Sequence, residues 1–134
     1  MEDKLVEIKQ VSEREIWVGE SRFYLDEDNI IYHTIVGEVD EKIAIAHKEA
    51  TLIFHNMAEG KVNILGDINK AGKQSPEARK IWRELSEHKK TGKVALYGMH
   101  PVARVIASFV MGVSRKKDMC FFKTKEEALA WLKE

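Results

Sequence analysis

Residues 61–79 read KVNILGDINKAGKQSPEAR, and the change of pattern within this stretch decides the fold. The apolar run KVNIL at its start is typical of a buried strand. Ser75 and Pro76 near its end are typical of a helix start, because serine is a preferred N-cap and proline suits the first helical position. Two glycines and two lysines lie between them, and we interpret them as the loop that joins strand to helix. This order predicts a parallel α/β unit.

The segments downstream repeat the alternation. The helix that begins at Ser75 is predicted to run to about Lys90. It is followed by the strand KVALYG (93–98), a helix from Pro101 to about Met111 and the strand DMCFF (118–122). A last helix begins at Thr124, which forms a capping box with Glu127.

The segments upstream are typical of strands. EIWVG (15–19) and SRFYLDEDNIIYHTIVG (21–37) are rich in β-branched and aromatic residues, and DEDN gives a turn between two runs. A helix capped by Asp40 follows and ends at Gly60. The sequence therefore predicts a single α/β domain over residues 1–134. Its mixed sheet has about five strands, an N-terminal hairpin plus parallel strands, and is covered by about four helices.

Composition is that of an ordinary globular protein, with 44% hydrophobic and 33% charged residues in 134. Cys120 is the single cysteine and lies in an apolar run, so we predict a buried, inert thiol and a reducing cytoplasm as the location. The charged N-terminus shows no signal peptide. The longest apolar stretch, residues 105–113, is shorter than the roughly 20 residues that span a bilayer, so no transmembrane segment is expected.

Charge is balanced overall but not along the chain. Residues 1–59 contain 6 Lys and Arg against 14 Asp and Glu, whereas residues 60–134 contain 16 against 8. The net charge of zero argues against a nucleic-acid partner. Because strands and helices interleave in an α/β fold, we expect the charges to mix over one surface. The alternative is complementary faces that pair molecules, or a basic half that meets an anionic partner.

Three kinds of catalytic or metal motif are absent from the sequence. The stretch from Gly66 to Lys73 resembles a P-loop but has one residue too many between its glycines, and Gln74 occupies the hydroxyl position. His47 and His55 are eight residues apart without a carboxylate or cysteine to complete a ligand set, so no metal is expected. Ser75 has no base at motif spacing. We therefore predict neither an enzyme nor a cofactor.

Two helix starts mark the candidate binding site. The carboxyl ends of parallel strands meet at one edge of a sheet, so the helices that begin near 67–75 and 98–104 should open together there and favour an anion. His100 should cap its helix or contact a ligand. Arg104 and Ser108 form a polar stripe, continued by Arg115, on an otherwise apolar helix that is either buried on two sides or a contact surface. The candidate residues are Asp67, Asn69, Lys70, Lys73, Ser75, His100, Arg104 and Ser108.

Three segments resemble a STAS domain, most closely the stand-alone STAS-like (SEC14-like) branch related in fold to bacterial anti-sigma-factor antagonists. They are VNILGDINKAGKQSPEARK, RVIASFVMG and CFFKTKEEALAWL. The resemblance implies a non-enzymatic switch that binds a protein partner and carries a phosphorylated serine after its third strand. Asp67 matches the aspartate of that motif, Ile68 and Asn69 stand where serines are expected, and Ser75 is the nearest hydroxyl and thus the candidate phosphorylation site.

Two functions follow from these observations. The first is a non-catalytic, cytoplasmic, STAS-like regulatory module, expected to be a homodimer that docks on a protein partner. The second is a binding protein for an anionic or amphipathic small ligand. The lipid-transfer side of the resemblance places an apolar ligand between helices and sheet, with its head group near Lys73, His100 or Arg104.

Overall fold

The computed structural model of the protein describes residues 6–113 and 118–134, and the side chains of all of these except 109–113. The strands are β1 (Ile8–Ser12), β2 (Glu15–Val18), β3 (Ser21–Leu25), β4 (Ile30–Val39), β5 (Val62–Gln74), β6 (Thr91–Tyr97) and β7 (Met119–Phe122). The helices are α1 (Glu41–Met57), α2 (Pro76–Ser86), α3 (Pro101–Val113) and α4 (Lys125–Leu132).

The described strands form one mixed sheet in the order β1-β2-β3-β4-β5-β6-β7. Strands β1 to β4 are antiparallel neighbours, and β4 to β7 are parallel. The predicted α/β class, mixed sheet and four helices are confirmed, but the strand count of about five is wrong because the sheet has seven. All residues of β1 are exposed, so its sequence lacks the alternation that marks a half-buried strand.

Strand order follows chain order, and this separates the charges in space. Helix α1 contacts β2, β3 and β4, whereas α2, α3 and α4 make most of their sheet contacts with the strands from β5 onward. The acidic first part of the chain therefore forms one side of the molecule, and the basic second part forms the other. The expectation that the charges mix over one surface is wrong, because the sheet is a sequential series rather than an interleaved one.

The two faces of the sheet are covered unequally. Helices α1, α2 and α3 share one apolar cluster with one face, which includes the fully buried Phe23 and Phe54. Helix α4 packs on the opposite face over β5, β6 and β7. The buried cluster on that face contains Ile30, Leu65, Ala95, Ala128 and Leu132. Period-two alternation produces this division, since Ile30 and Ile31 of β4 point to opposite faces.

Helix starts follow the predicted caps. The side chains of Asp40, Ser75 and Thr124 accept backbone N–H bonds from the residues three positions later, at 2.9, 3.0 and 3.3 Å. Helix α2 ends at Ser86 rather than near Lys90. The reason is that the Lys90 ammonium donates to the carbonyls of His55 and Ala58 at the end of α1, which draws this segment away from the α2 axis.

Strand β5 is much longer than predicted. It runs past Asp67 to Gln74, so Asp67 does not end a strand and Lys70 and Lys73 do not lie in a loop. Beyond Asp67, β5 continues to pair with β4, with Val36 opposite Lys70 and register shifts on either side. These irregularities break the alternation from which the strand would have been recognised. Cys120, predicted to be buried, is partly exposed.

Among the described residues, no helix combines the length and the apolar character that crossing a membrane requires.

Candidate functional site

The end of β5 and the first turns of α2 and α3 enclose a surface groove of about 430 Å³. Serine at the start of α2 and proline at the start of α3 place both helix N-termini at this edge of the sheet, as the sequence predicts. The residues that line the groove are Gly72, Lys73, Gln74, Pro76, Arg79, Val102, Val105 and Ile106. We refer to it below as the α2–α3 groove.

Helix α3 has exposed apolar side chains on its outer side, and some of them line this groove. Ala103, Ile106 and Ala107 are buried against the sheet. Val102 and Val105 are 43% and 53% exposed, and Met99 in the preceding turn is 75% exposed. Of the two alternatives for this helix, the described residues therefore show an exposed apolar face rather than burial on two sides. Exposed apolar side chains that form a contiguous patch mark interaction sites.

The polar stripe of α3 is exposed but does not face the groove. Arg104 and Ser108 are both exposed, and the Ser108 hydroxyl donates to the carbonyl of Arg104 at 2.9 Å. Arg104 lines a neighbouring depression with His100 and Lys123. Arg115, predicted to continue the stripe, lies outside the described residues.

Cationic side chains surround the groove. Lys73 and Arg79 line it, and Arg104 and Lys123 line the depression beside it. Lys73 also borders a third depression that contains Glu38 and Asp40, so its charge is partly balanced on that side. Lys70 is exposed on β5 but does not line the groove. The local field is therefore positive on the α3 side.

Asp67, Asn69 and the turn before α3 are joined by hydrogen bonds. The backbone N–H and the side-chain amide of Asn69 both donate to Asp67 Oδ1 at 3.0 Å. The Asn69 Oδ1 atom accepts the Met99 backbone N–H at 2.8 Å. His100 Nδ1 accepts the Val102 N–H at 3.2 Å, which confirms the predicted cap. The structure thus joins Asp67 and Asn69 to the backbone of the turn that precedes α3 and contains His100.

The Asp67 carboxylate also acts on the neighbouring strand. Its cross-strand partner is Tyr97, and burial, followed by the charge of Asp67, raises the pKa of that phenol above its usual range. The phenol is therefore neutral at physiological pH, and it is not a candidate base.

The Ser75 hydroxyl has a structural role at the start of α2. It accepts the Ala78 N–H at 3.0 Å and is only partly exposed. No carboxylate or imidazole is hydrogen-bonded to it, so nothing in its described surroundings activates it as a nucleophile. Its predicted phosphorylation is untested by this geometry.

A small apolar cavity lies beneath the groove, between α2, α3 and the sheet. Its volume is about 50 Å³, and Gln74 and Ile106 form a wall that it shares with the groove. Gln74 is held in place by the Trp82 indole N–H, which donates to its Oε1 atom at 3.0 Å. Ligand pockets are typically several hundred Å³, so the closed interior has no room for a lipid.

Sequence reasoning missed a cluster of buried histidines between α1, β4 and α2. His33, His47 and His55 are almost completely buried. His33 Nε2 is 3.1 Å from the Thr51 hydroxyl, whereas neither ring nitrogen of His47 has a hydrogen-bond partner among the described residues. Burial lowers the pKa of His33 to about 3 and that of His47 and His55 to about 4. Within residues 6–113 and 118–134, no three potential ligands are positioned for a metal ion.

Comparisons with known proteins agree with the fold. A family model described as "Domain of unknown function (DUF7793)" matches residues 23–134. No curated protein matches the chain. An uncharacterized protein of the DUF3478 family from Shewanella loihica PV-4, with a SpoIIAA-like fold, superposes with a TM-score of 0.59 at 18% identity, covering 98% of both chains.

The anti-sigma factor antagonist SpoIIAA in its unphosphorylated form superposes with a TM-score of 0.54 at 17% identity. The match covers 84% of this chain and 97% of that one. At these identities the likeness shows the fold alone, and it confirms the predicted STAS-like fold.

Proposed function

Since the chain belongs to the DUF7793 family of domains of unknown function and has a SpoIIAA-like fold, we propose that it is a regulatory protein-interaction domain. Its docking surface consists of Met99, Val102 and Val105 together with two cationic side chains, Lys73 of the α2–α3 groove and Arg104 of the depression beside it. The observation that carries the proposal is the exposed apolar face of α3 beside these cationic side chains. The likeness to an anti-sigma factor antagonist supports a protein as the partner.

The chemistry of the docking surface selects an acidic partner. The apolar side chains supply the area that a partner buries, and each of the three is at least 43% exposed. The basic half of the molecule surrounds them, so an acidic segment with apolar side chains on one face matches both properties. Complementary charge of this kind accelerates encounter and rejects partners of the wrong sign.

A designed peptide tests this surface. The probe is a helix of about 18 residues with leucine on one face and glutamate on the other, added to the labelled protein while amide shifts are recorded. We expect the shifts to map to Met99, Val102 and Val105. The variant Val102→Ser/Val105→Ser should weaken the peptide's Kd by about tenfold, and raising salt to about 0.5 M should weaken it further.

The matched control lies on the acidic side of the molecule. Ile45 and Ile53 of α1 are 42% and 36% exposed, so Ile45→Ser/Ile53→Ser removes a similar apolar area. This control should leave the Kd unchanged. Equal losses for both double variants, or preference for a peptide with lysine in place of glutamate, would contradict the proposal.

The geometry supports a second candidate, the binding of an amphipathic anion. The observation in its favour is the shared wall of groove and cavity, because displacing Gln74 would join the two spaces. A head group near Lys73 would then be continuous with an apolar interior. Decanoate is a suitable probe, and Trp82, bonded to Gln74, reports on it by fluorescence. A saturable change in the wild type that disappears in Lys73→Glu supports this candidate, and an identical response in both excludes this site.

The proposal includes a non-catalytic, cytoplasmic domain that forms a homodimer. Native mass spectrometry of the untagged chain tests the dimer, and a monomer mass at high protein concentration would contradict it. Ser75 stays the candidate phosphorylation site, where a phosphate would lie at the N-terminus of α2. Mass analysis of protein isolated from its own cells tests that modification.

A further inference from the structure

We propose that Asn69 is the positioning residue of the docking surface, because its side chain holds the turn between β6 and α3 against β5 and so displays Met99 permanently. This inference rests on the proposed function, since it explains how that surface keeps its shape. Asn69 acts by holding the backbone of the turn and not by direct contact with a partner.

The hydrogen bonds determine the orientation of the Asn69 side chain. Its amide group donates to Asp67 Oδ1 at 3.0 Å, and its Oδ1 atom accepts the Met99 N–H at 2.8 Å. A backbone N–H can only donate, so the oxygen must face Met99 and the amide must face Asp67. The Asn69 backbone N–H bonds the same Asp67 oxygen at 3.0 Å, which fixes the carboxylate in turn.

The turn itself combines a held backbone with an exposed side chain. Met99 is 75% exposed, yet its N–H is bonded to a side chain 30 positions earlier in the chain. Gly98 is closely packed, since a Cβ atom there would lie 2.7 Å from the Ala103 Cβ and 3.3 Å from Asn69 Oδ1. A methionine in an unrestrained turn would lose conformational entropy on binding, and a fixed backbone reduces that cost.

The side-chain chemistry of Asn69 makes this arrangement independent of phosphorylation at position 69. The Asn69 side chain is a carboxamide, which has no hydroxyl to phosphorylate. It also lies within β5, well before the N-cap of α2 at Ser75. The docking surface is therefore displayed without a modification at this point of the strand.

The same strand provides a matched control. Asn63 near the start of β5 accepts the Lys93 N–H at 2.7 Å through its Oδ1 atom and donates to the carbonyl of Leu132 at 3.4 Å. It thus joins β5 to the backbone of β6 as Asn69 joins β5 to the segment after β6. Asn63 lies at the opposite end of the strand from the docking surface, so Asn63→Ala removes an equivalent bond without touching the turn.

Two readouts test the inference in Asn69→Ala and Asn63→Ala. We expect hydrogen exchange at the Met99 amide to accelerate about tenfold or more in Asn69→Ala, and the Kd of the acidic peptide to weaken about threefold to tenfold. Asn63→Ala should accelerate exchange at Lys93 and leave both Met99 and the Kd as in the wild type. Asn69→Ser, whose hydroxyl is too short to span both partners, should show the same changes and carries the test if Asn69→Ala does not fold.

Unchanged exchange at Met99 in the Asn69 variants would overturn the inference. Equal weakening of peptide binding by Asn63→Ala would also overturn it, since the effect would then follow stability rather than position. The outcome for the proposed function is separate. If the wild type does not bind the peptide, the docking surface is wrongly assigned, while the exchange measurement still decides whether Asn69 holds the turn.

Discussion

The two faces of the sheet are built in different ways. The face under α1, α2 and α3 forms a thick core that also encloses polar histidines. The face under α4 has a small cluster over β5 to β7. On β2 and β3, the side chains of that face bond to one another. Arg22 pairs with Glu15 at 2.7 Å and lies 4.9 Å from the centre of the Tyr24 ring.

This difference determines where the fold is sensitive to substitution and to protonation. A deeply enclosed face tolerates neither lost volume nor added charge, because neither can be relieved by solvent. A face covered by one short helix can relax.

Loss of volume should cost more under α1 than under α4. Phe54 of α1 is 0% exposed and Leu132 of α4 is 4% exposed. We expect Phe54→Ala to lower the free energy of unfolding by about 3–5 kcal/mol and Leu132→Ala by about 2 kcal/mol, at the low end for such a change. Urea denaturation measures both. A larger loss for Leu132→Ala would mean that α4 is as firmly held as α1.

Acid should destabilise the face under α1 to α3 selectively. His33 and His47 have their pKa lowered by burial to about 3 and about 4, so each is neutral when folded and takes up a proton more readily when unfolded. The stability that these two neutral histidines contribute to the fold is complete above pH 6.5. It is lost as the pH falls toward their folded-state pKa values. At pH 5 the loss is about 2 kcal/mol for each of the two. Lys48 of α1 and Glu84 of α2, which lie on the two helices beside these histidines, pair with each other at 3.5 Å.

Chemical denaturation at a series of pH values between 7 and 5 measures the loss. The control is His100→Asn, which removes an exposed histidine but keeps an acceptor for the α3 cap. Its curve should follow that of the wild type. A wild-type stability that is flat down to pH 5 would show that the buried histidines are protonated in the folded state.

Substitution of His47 should reduce the loss of stability at low pH. In the part of the chain that the structure describes, neither of its ring nitrogens has a hydrogen-bond partner, and burying an unsatisfied polar group is unfavourable. We expect His47→Leu to be as stable as the wild type at pH 7, or more stable by about 1 kcal/mol, and to lose about 2 kcal/mol less at pH 5. The same denaturation series checks this. A destabilised His47→Leu at pH 7 would indicate that the imidazole packs against Phe23 and Trp82 in a way that leucine cannot reproduce.

Local features of the fold could be predicted from sequence, and non-local ones could not. The caps at Asp40, Ser75 and Thr124 depend on bonds to residues three positions away, so the sequence contains the whole interaction. The extent of β5 depends on β4, which pairs with it beyond Asp67 through an irregular register. The histidine cluster depends on three elements meeting in space, and no spacing along the chain indicates that.

The candidate site shows the same division. The shared edge of strand ends and helix starts predicts Asp67, Asn69 and His100 as site residues, and the structure joins Asp67 and Asn69 to the turn that contains His100. Met99 was missed because the exposure of a methionine in a turn depends on how the turn is held. The role of Asp67, Asn69 and His100 in binding stays a prediction.

The smallest effect is expected from removing a helix cap, and two of the predicted caps lie on opposite faces of the sheet. The Ser75 hydroxyl accepts the N–H of Ala78 at 3.0 Å, and that of Thr124 accepts the N–H of Glu127 at 3.3 Å. We expect Ser75→Ala to cost about 1 kcal/mol and Thr124→Ala about 0.5 kcal/mol, because the second bond is longer and more exposed. Thermal unfolding measures both, with Ser108→Ala as the exposed control. If Thr124→Ala cost more than Ser75→Ala, the start of α4 would contribute more to its face than its short contact with the sheet indicates, and the contrast between the two faces would be weaker than their burial shows.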